Sequence, residues 1–214
     1  MVLSLKNELK QALLDGDYEQ IAKRASNDKR TFGKLIALAY DKDGLLCWRA
    51  IEAMGAAAAA VSRTDQSKVR NVVQRILWSA REESGGMGWS APELLAEIVI
   101  AAPQQFADIP PIIVSLHSED EEKVFLKGVL RAIGRMGEAG ITDIAGSEEI
   151  VRNSLRHHDP AVRGLAIWAA ARSRISAVDV ISAMTSDNQE LTIYQNGELV
   201  RRSLGDLARE ALAA

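Results

Sequence analysis

Ala50-Ile51-Glu52-Ala53-Met54-Gly55 decides the fold, because its outline returns three times along the chain. Ala91 to Ala96, Ala132 to Gly137 and Ala166 to Ala171 repeat it, each an alanine followed five positions later by a small residue. The leading alanines stand 41, 41 and 34 residues apart. A period of roughly 35–45 residues on helical sequence marks stacked helix pairs, a solenoid. Each stretch is then the buried stripe of a pair's second helix. Ile51, Pro92, Ile133 and Ile167 lie four before the small residue, and Met54, Leu95, Met136 and Ala170 one before, on one helix face. Gly55 and Gly137 fall where another helix crosses closely, since glycine has no Cβ to hold the axes apart.

The other positions of the register point away from that stripe. They carry Arg49, Glu52 and Ala56, then Ser90, Glu93 and Glu97, then Arg131, Gly134 and Glu138, then Leu165, Trp168 and Arg172. Second helices line the concave surface of a solenoid. Arg49, Glu52, Trp89, Glu93, Arg131, Arg135, Arg163, Trp168 and Arg172 are therefore the candidate partner-binding residues. Trp48 and Trp89 occupy equivalent positions, and either stack along the groove or fill gaps between pairs.

Outward from the repeats, the chain reads as all-α and as one continuous domain, residues 1–214. Leu3 to Leu14 and Tyr18 to Ala25 form an N-terminal helical cap, residues 1–27, with Gly16 as the stop between them. Helix pairs fill residues 29–172: Thr31 to Tyr40 with Leu45 to Val61, Asp65 to Arg81 with Ala91 to Ala101, and Ser147 to Leu155 with Pro160 to Arg172. Between the last two pairs, Pro103, Pro110 and Pro111 cut the chain into short pieces before a helix from about Glu121 to Met136. Ser90 to Glu93 reads as a capping box, and Asp159 as the cap before Pro160. Residues 176–214 hold a short helix from Ser176 to Met184, a small β-hairpin and a last helix to Ala213. The hairpin spans Leu191 to Val200, with Asn196-Gly197 suited to a type I′ turn, and Ser203 to Asp206 caps the helix after it.

Composition narrows the function classes. Hydrophobic residues make up 47% of the chain but aromatics only 5%, which suits helices packed closely through Ala and Leu. A formal charge of −3 offers no global attraction to nucleic acid or to an anionic membrane. Cys47 is the single cysteine, so no internal disulfide forms and a reducing compartment is expected. The N-terminus lacks a basic segment followed by an apolar one, and the longest largely apolar run, Ala53 to Val61, is short of a membrane span. The expectation is a soluble cytoplasmic protein.

Asp159-Pro160-Ala161-Val162-Arg163-Gly164-Leu165-Ala166-Ile167-Trp168-Ala169-Ala170-Ala171 resembles a HEAT repeat, in particular the HEAT-like type named after phycobilisome lyases. Asp43 takes the column of Asp159, and Ala50 to Gly55 matches the repeat's end. Cys47, Gly88 and Val129 stand where that repeat has arginine. The resemblance covers about Thr31 to Ala214 and implies a HEAT-like α-α superhelix acting as an interaction scaffold. HEAT arrays share no active site, so it implies no catalytic residue, cofactor or metal. The expected function is non-enzymatic binding of a protein partner through the concave face. The alternatives are an enzyme-associated subunit of chromophore-lyase type and, behind it, a nucleic-acid-binding HEAT-like protein.

Local features add little chemistry. Gly85-Gly86-Met87-Gly88 before a helix, with Arg81 nearby, either offers backbone N–H groups to an anion or simply turns the chain, the favoured reading. His157-His158-Asp159 matches no metal-ligand spacing. Cys47 reads as a small packed hydrophobe, Glu119 to Glu122 as a solvated helix start, and Arg201-Arg202 as too short for nucleic-acid binding.

Overall fold

The computed structural model describes residues 4–81, 89–117 and 124–213. Contacts divide the chain into two compact units, Met1–Ala107 and Asp108–Ala214, a boundary that the sequence reading does not draw.

The first unit holds α1 (Leu5–Asp15), α2 (Tyr18–Asn27), α3 (Arg30–Leu38), α4 (Leu45–Ser62), α5 (Gln66–Ala80) and α6 (Ala91–Ala101). Gly16 ends α1 in the left-handed region at φ 70°, a conformation glycine adopts without strain, and its N–H returns to the Leu13 carbonyl. α4 sits at the centre, packed by α1, α2, α3, α5 and α6. Its Ala50, Ala53, Ala57 and Ala58 are sealed, which lets those neighbours approach. By length and composition α4 is apolar enough to cross a membrane, with a mean hydropathy of 1.3, which corrects the expectation that no segment approaches a span. Ten of its residues are buried against the unit's other helices, as a core helix requires.

The second unit holds α7 (Ile109–Ser115), α8 (Leu126–Glu138), α9 (Ser147–Ser154), α10 (Pro160–Ser173), α11 (Val178–Ser182), β1 (Glu190–Gln195), β2 (Glu198–Ser203) and α12 (Leu204–Ala213). The proline-rich stretch makes a helix rather than breaking one: Pro110 and Pro111 sit in the first turn of α7, where no N–H is needed. α8 packs on α10, and α10 on α12. The expected hairpin is present, antiparallel, pairing Ile193 with Val200. Asn196 and Gly197 have φ of 51° and 82°, the positive pair a type I′ turn demands. Ser203 then accepts the Asp206 N–H at 3.0 Å and donates to its carboxylate, capping α12.

The repeat register has a physical counterpart in each unit. A Cβ on Gly55 would stand 3.2 Å from the Glu97 carbonyl oxygen, and one on Gly137 would stand 2.7 Å from the Arg172 carbonyl. Glu97 and Arg172 both follow the small residue of their own repeats, Ala96 and Ala171. The same positions thus meet at α4–α6 and at α8–α10. Ser173 closes the second crossing by donating its hydroxyl to the Ile133 carbonyl at 3.0 Å.

Candidate interaction surface

In the first unit the candidate residues mostly tie helices together. Arg49 on α4 directs Nη1 to the Leu13 and Leu14 carbonyls at 3.0 and 2.5 Å, satisfying the open C-terminus of α1. Glu52, one turn on, accepts the Tyr18 hydroxyl at 2.7 Å and holds α2 to α4. Glu93 is only 3% exposed, which corrects its placement on an open face. Its Oε1 meets Lys42 Nζ at 2.6 Å, while Oε2 is buried without a hydrogen-bond donor. The capping box does not form either, since Ser90 makes no side-chain cap and its hydroxyl lies beside the Cys47 thiol. Cys47 is buried, and burial, then the Glu93 charge, push its thiol up to about 12. An inert packed side chain is the result.

In the second unit a buried aromatic organises the arginines. Trp168 is 2% and Arg131 6% exposed, again correcting their assignment to an open face. The Arg131 guanidinium lies 4.8 Å from the Trp168 ring centre and 5.7 Å from that of Tyr194, and Arg172 lies 4.5 Å from Trp168. Trp168 is thus gripped by two cations, with its Nε1–H buried and unbonded. Arg172 continues to Glu138 at 2.5 Å and Glu210 at 3.5 Å; Arg135 shares Glu138 at 2.7 Å, and Arg202 shares Glu210 at 2.8 Å. The hydrogen bond from Arg202 holds the Glu210 carboxyl below its usual range despite partial burial. Gly134, expected on the outer face, instead lies directly under the Trp168 ring.

Arg163 is equally committed. Nη1 donates to the His157 and His158 carbonyls at 2.9 and 3.0 Å, and Nη2 reaches Gln189 at 3.2 Å and Asp187 at 3.5 Å. His157 Nδ1 accepts the Asp159 N–H at 3.1 Å and its ring packs on His158. Asp159 caps α10 as expected, accepting the Ala161 N–H at 2.8 Å. Among the described residues no three His, Cys, Asp or Glu side chains gather closely enough to share a metal ion. The glycine loop at 85–88 and the acidic run at 119–122 lie outside the described residues.

Trp89 differs from the other eight candidates in being exposed, at 45%. Its ring stacks on Tyr40, itself 48% exposed, with centres 5.8 Å apart and planes at 27°. Trp48, its counterpart in the register, is half-buried and donates Nε1–H to the Lys42 carbonyl at 2.9 Å. Tyr40 and Lys42 escaped the sequence reading because they sit in the α3–α4 loop, outside the helical register. The only sequence sign was an aromatic at a helix end followed by Asp-Lys-Asp-Gly.

The helical fold, with its recurring small-residue crossings, is similar to that of armadillo/HEAT-like repeat proteins. A designed armadillo repeat protein, solved in complex with the peptide (KR)4, superposes with a TM-score of 0.52 at 15% identity, covering 98% of this chain and 99% of that one. An archaeal HEAT-like repeats protein from Thermococcus onnurineus NA1 matches with a TM-score of 0.40 at 16% identity, covering 100% of this chain and 81% of that one. In sequence, an uncharacterized protein of Archaeoglobus fulgidus is 29% identical over 178 residues, 83% of this chain and 93% of that protein. No protein-family model matches the chain.

Proposed function

We propose that this chain is a non-enzymatic, cytoplasmic scaffold that binds a protein partner through the face carrying Trp89. The exposed Tyr40–Trp89 stack carries this reading. Two large aromatic side chains left in water retain apolar area to bury, and Trp and Tyr are enriched among residues that dominate binding energies. The fold supports it, since helical repeats supply extended binding surfaces and the designed armadillo neighbour holds a peptide. The charged candidates of the same unit, Arg49, Glu52 and Glu93, are taken up in its framework. With a formal charge of −3, protein rather than duplex nucleic acid is the fitting partner.

A photo-crosslinking amino acid at position 89, introduced in the native cell, tests the reading. A discrete cross-linked protein that is absent when the probe sits at exposed Val178 on α11 is the expected result. Cross-links to nucleic acid, or an identical pattern from both positions, would contradict it.

A further inference from the structure

The surroundings of the stack specify more than an apolar contact. Two links clamp the α3–α4 loop to the start of α6: the Tyr40–Trp89 stack and the Lys42–Glu93 ion pair at 2.6 Å. Trp89 stands just before the Ser90 N-cap of α6 and Glu93 in its first turn, so both links fall at the same helix end. The aromatic pair therefore joins two segments of the chain that the ion pair also links.

The charge beside this platform is negative. Asp41 and Asp43 flank Lys42 and are both exposed. Asp41 Oδ1 accepts the Asp43 N–H at 3.2 Å. Lys42 is committed to Glu93, so neither aspartate is neutralised by the cation between them. Glu93 is a third carboxylate, almost wholly buried, with Oε2 lacking any donor. Asp41, Asp43 and Glu93 against Lys42 leave an excess of two negative charges within four residues of Tyr40 or Trp89 in sequence.

We infer that the Tyr40–Trp89 platform receives an arginine side chain from a basic segment of the partner, paired at its edge by Asp41 and Asp43. This rests on the protein-binding reading above and names the partner's chemistry. A planar guanidinium stacks on an indole or phenol face and still directs its N–H groups sideways to carboxylates, which a compact ammonium does in only one of the two respects. The protein already uses the first half of this geometry internally, with Arg131 and Arg172 on Trp168. An acidic or purely apolar segment meets the wrong charge at Asp41 and Asp43.

The test is a titration of the full chain with three labelled dodecapeptides, alternating Gly with Arg, with Lys or with Glu. It is followed by anisotropy and by the indole N–H resonances, with Trp89 assigned through Trp89→Phe. The expected result is a shift of the Trp89 indole with the Arg peptide, weaker binding of the Lys peptide and none of the Glu peptide. Asp41→Asn with Asp43→Asn, and separately Trp89→Ala, should each weaken the Arg peptide about tenfold or more. Equal binding of the Arg and Glu peptides, or an unchanged Trp89 resonance, overturns the inference. If the position-89 cross-link to a partner persists in the double aspartate variant, the protein-binding reading stands and the arginine assignment alone falls. If no partner cross-links at all, the broader reading falls first.

Discussion

Trp168 occupies the space over Gly134: a Cβ added to that glycine would stand 2.0 Å from Cζ3 and 2.4 Å from Cε3 of the indole. Helix propensity alone favours Gly134→Ala by about 1 kcal/mol. The ring outweighs this, because it is fixed between Arg131 and Arg172 and has nowhere to retreat. Gly134→Ala should therefore destabilise by roughly 1–3 kcal/mol, as overpacking does. Urea unfolding gives the answer, and a variant as stable as the parent would mean the ring does not rest there.

The two equivalent crossings should rank differently. A Cβ on Gly137 meets the Ser173 hydroxyl at 2.5 Å and backbone atoms of Arg172 at 2.7 Å, whereas on Gly55 the nearest atom, the Glu97 carbonyl oxygen, is at 3.2 Å. Backbone yields little in a packed helix. Gly137→Ala should cost about 2 kcal/mol or more, and Gly55→Ala distinctly less. The reverse order in thermal melts would refute the proposed register.

What the sequence made legible is what periodicity encodes. The Ala and Gly positions recur at one place in each second helix, so their burial and the close approach at Gly137 followed from spacing alone. The Asn196-Gly197 hairpin and the Asp159 cap were legible because each is a local backbone requirement written in two or three residues. The exposure of Glu93, Arg131 and Trp168 was not. Positions three and six before the small residue fall on the side of a lone helix opposite the buried stripe, but here a neighbour covers that side too, and Trp168 reaches across to Gly134. Charge was a misleading guide, because Glu93 is paired with Lys42 and Arg131 is stacked on Trp168 and Tyr194 inside the fold. Tyr40 stayed hidden because its partner lies 49 residues away, a contact that no helical period announces.

Cys47 should report on unfolding. With its thiol buried and pushed up to about 12, almost no thiolate exists at pH 8. A disulfide-exchange reagent should label the native chain far more slowly than the urea-unfolded chain, whose thiol returns to ordinary reactivity. Rapid stoichiometric labelling of the native protein would contradict this burial.

Acid should loosen the start of α10. Burial pushes the Asp159 carboxyl upward, but Lys127 at 2.8 Å and the Ala161 N–H together hold it below its ordinary 3.8. A carboxyl depressed on folding stabilises above its unfolded value and loses that contribution as pH falls through the folded one. Asp159→Ala should thus cost about 1 kcal/mol at pH 7, with the gap to the parent narrowing below about pH 3.8. A gap that is constant from pH 7 to pH 2 would show that the charge contributes nothing.

The central claim is that the register's polar and aromatic residues build the framework, and that Trp89 alone among the nine candidates is left exposed. Equilibrium urea unfolding of Trp168→Ala beside Trp89→Ala tests it most directly. Trp168→Ala should lose about 3–5 kcal/mol, the usual loss for a buried tryptophan, since it empties the site between Arg131 and Arg172. Trp89→Ala should lose about 1 kcal/mol, no more than one exposed aromatic stack contributes. Equal losses, or a Trp168→Ala variant that unfolds like the parent, would contradict the account.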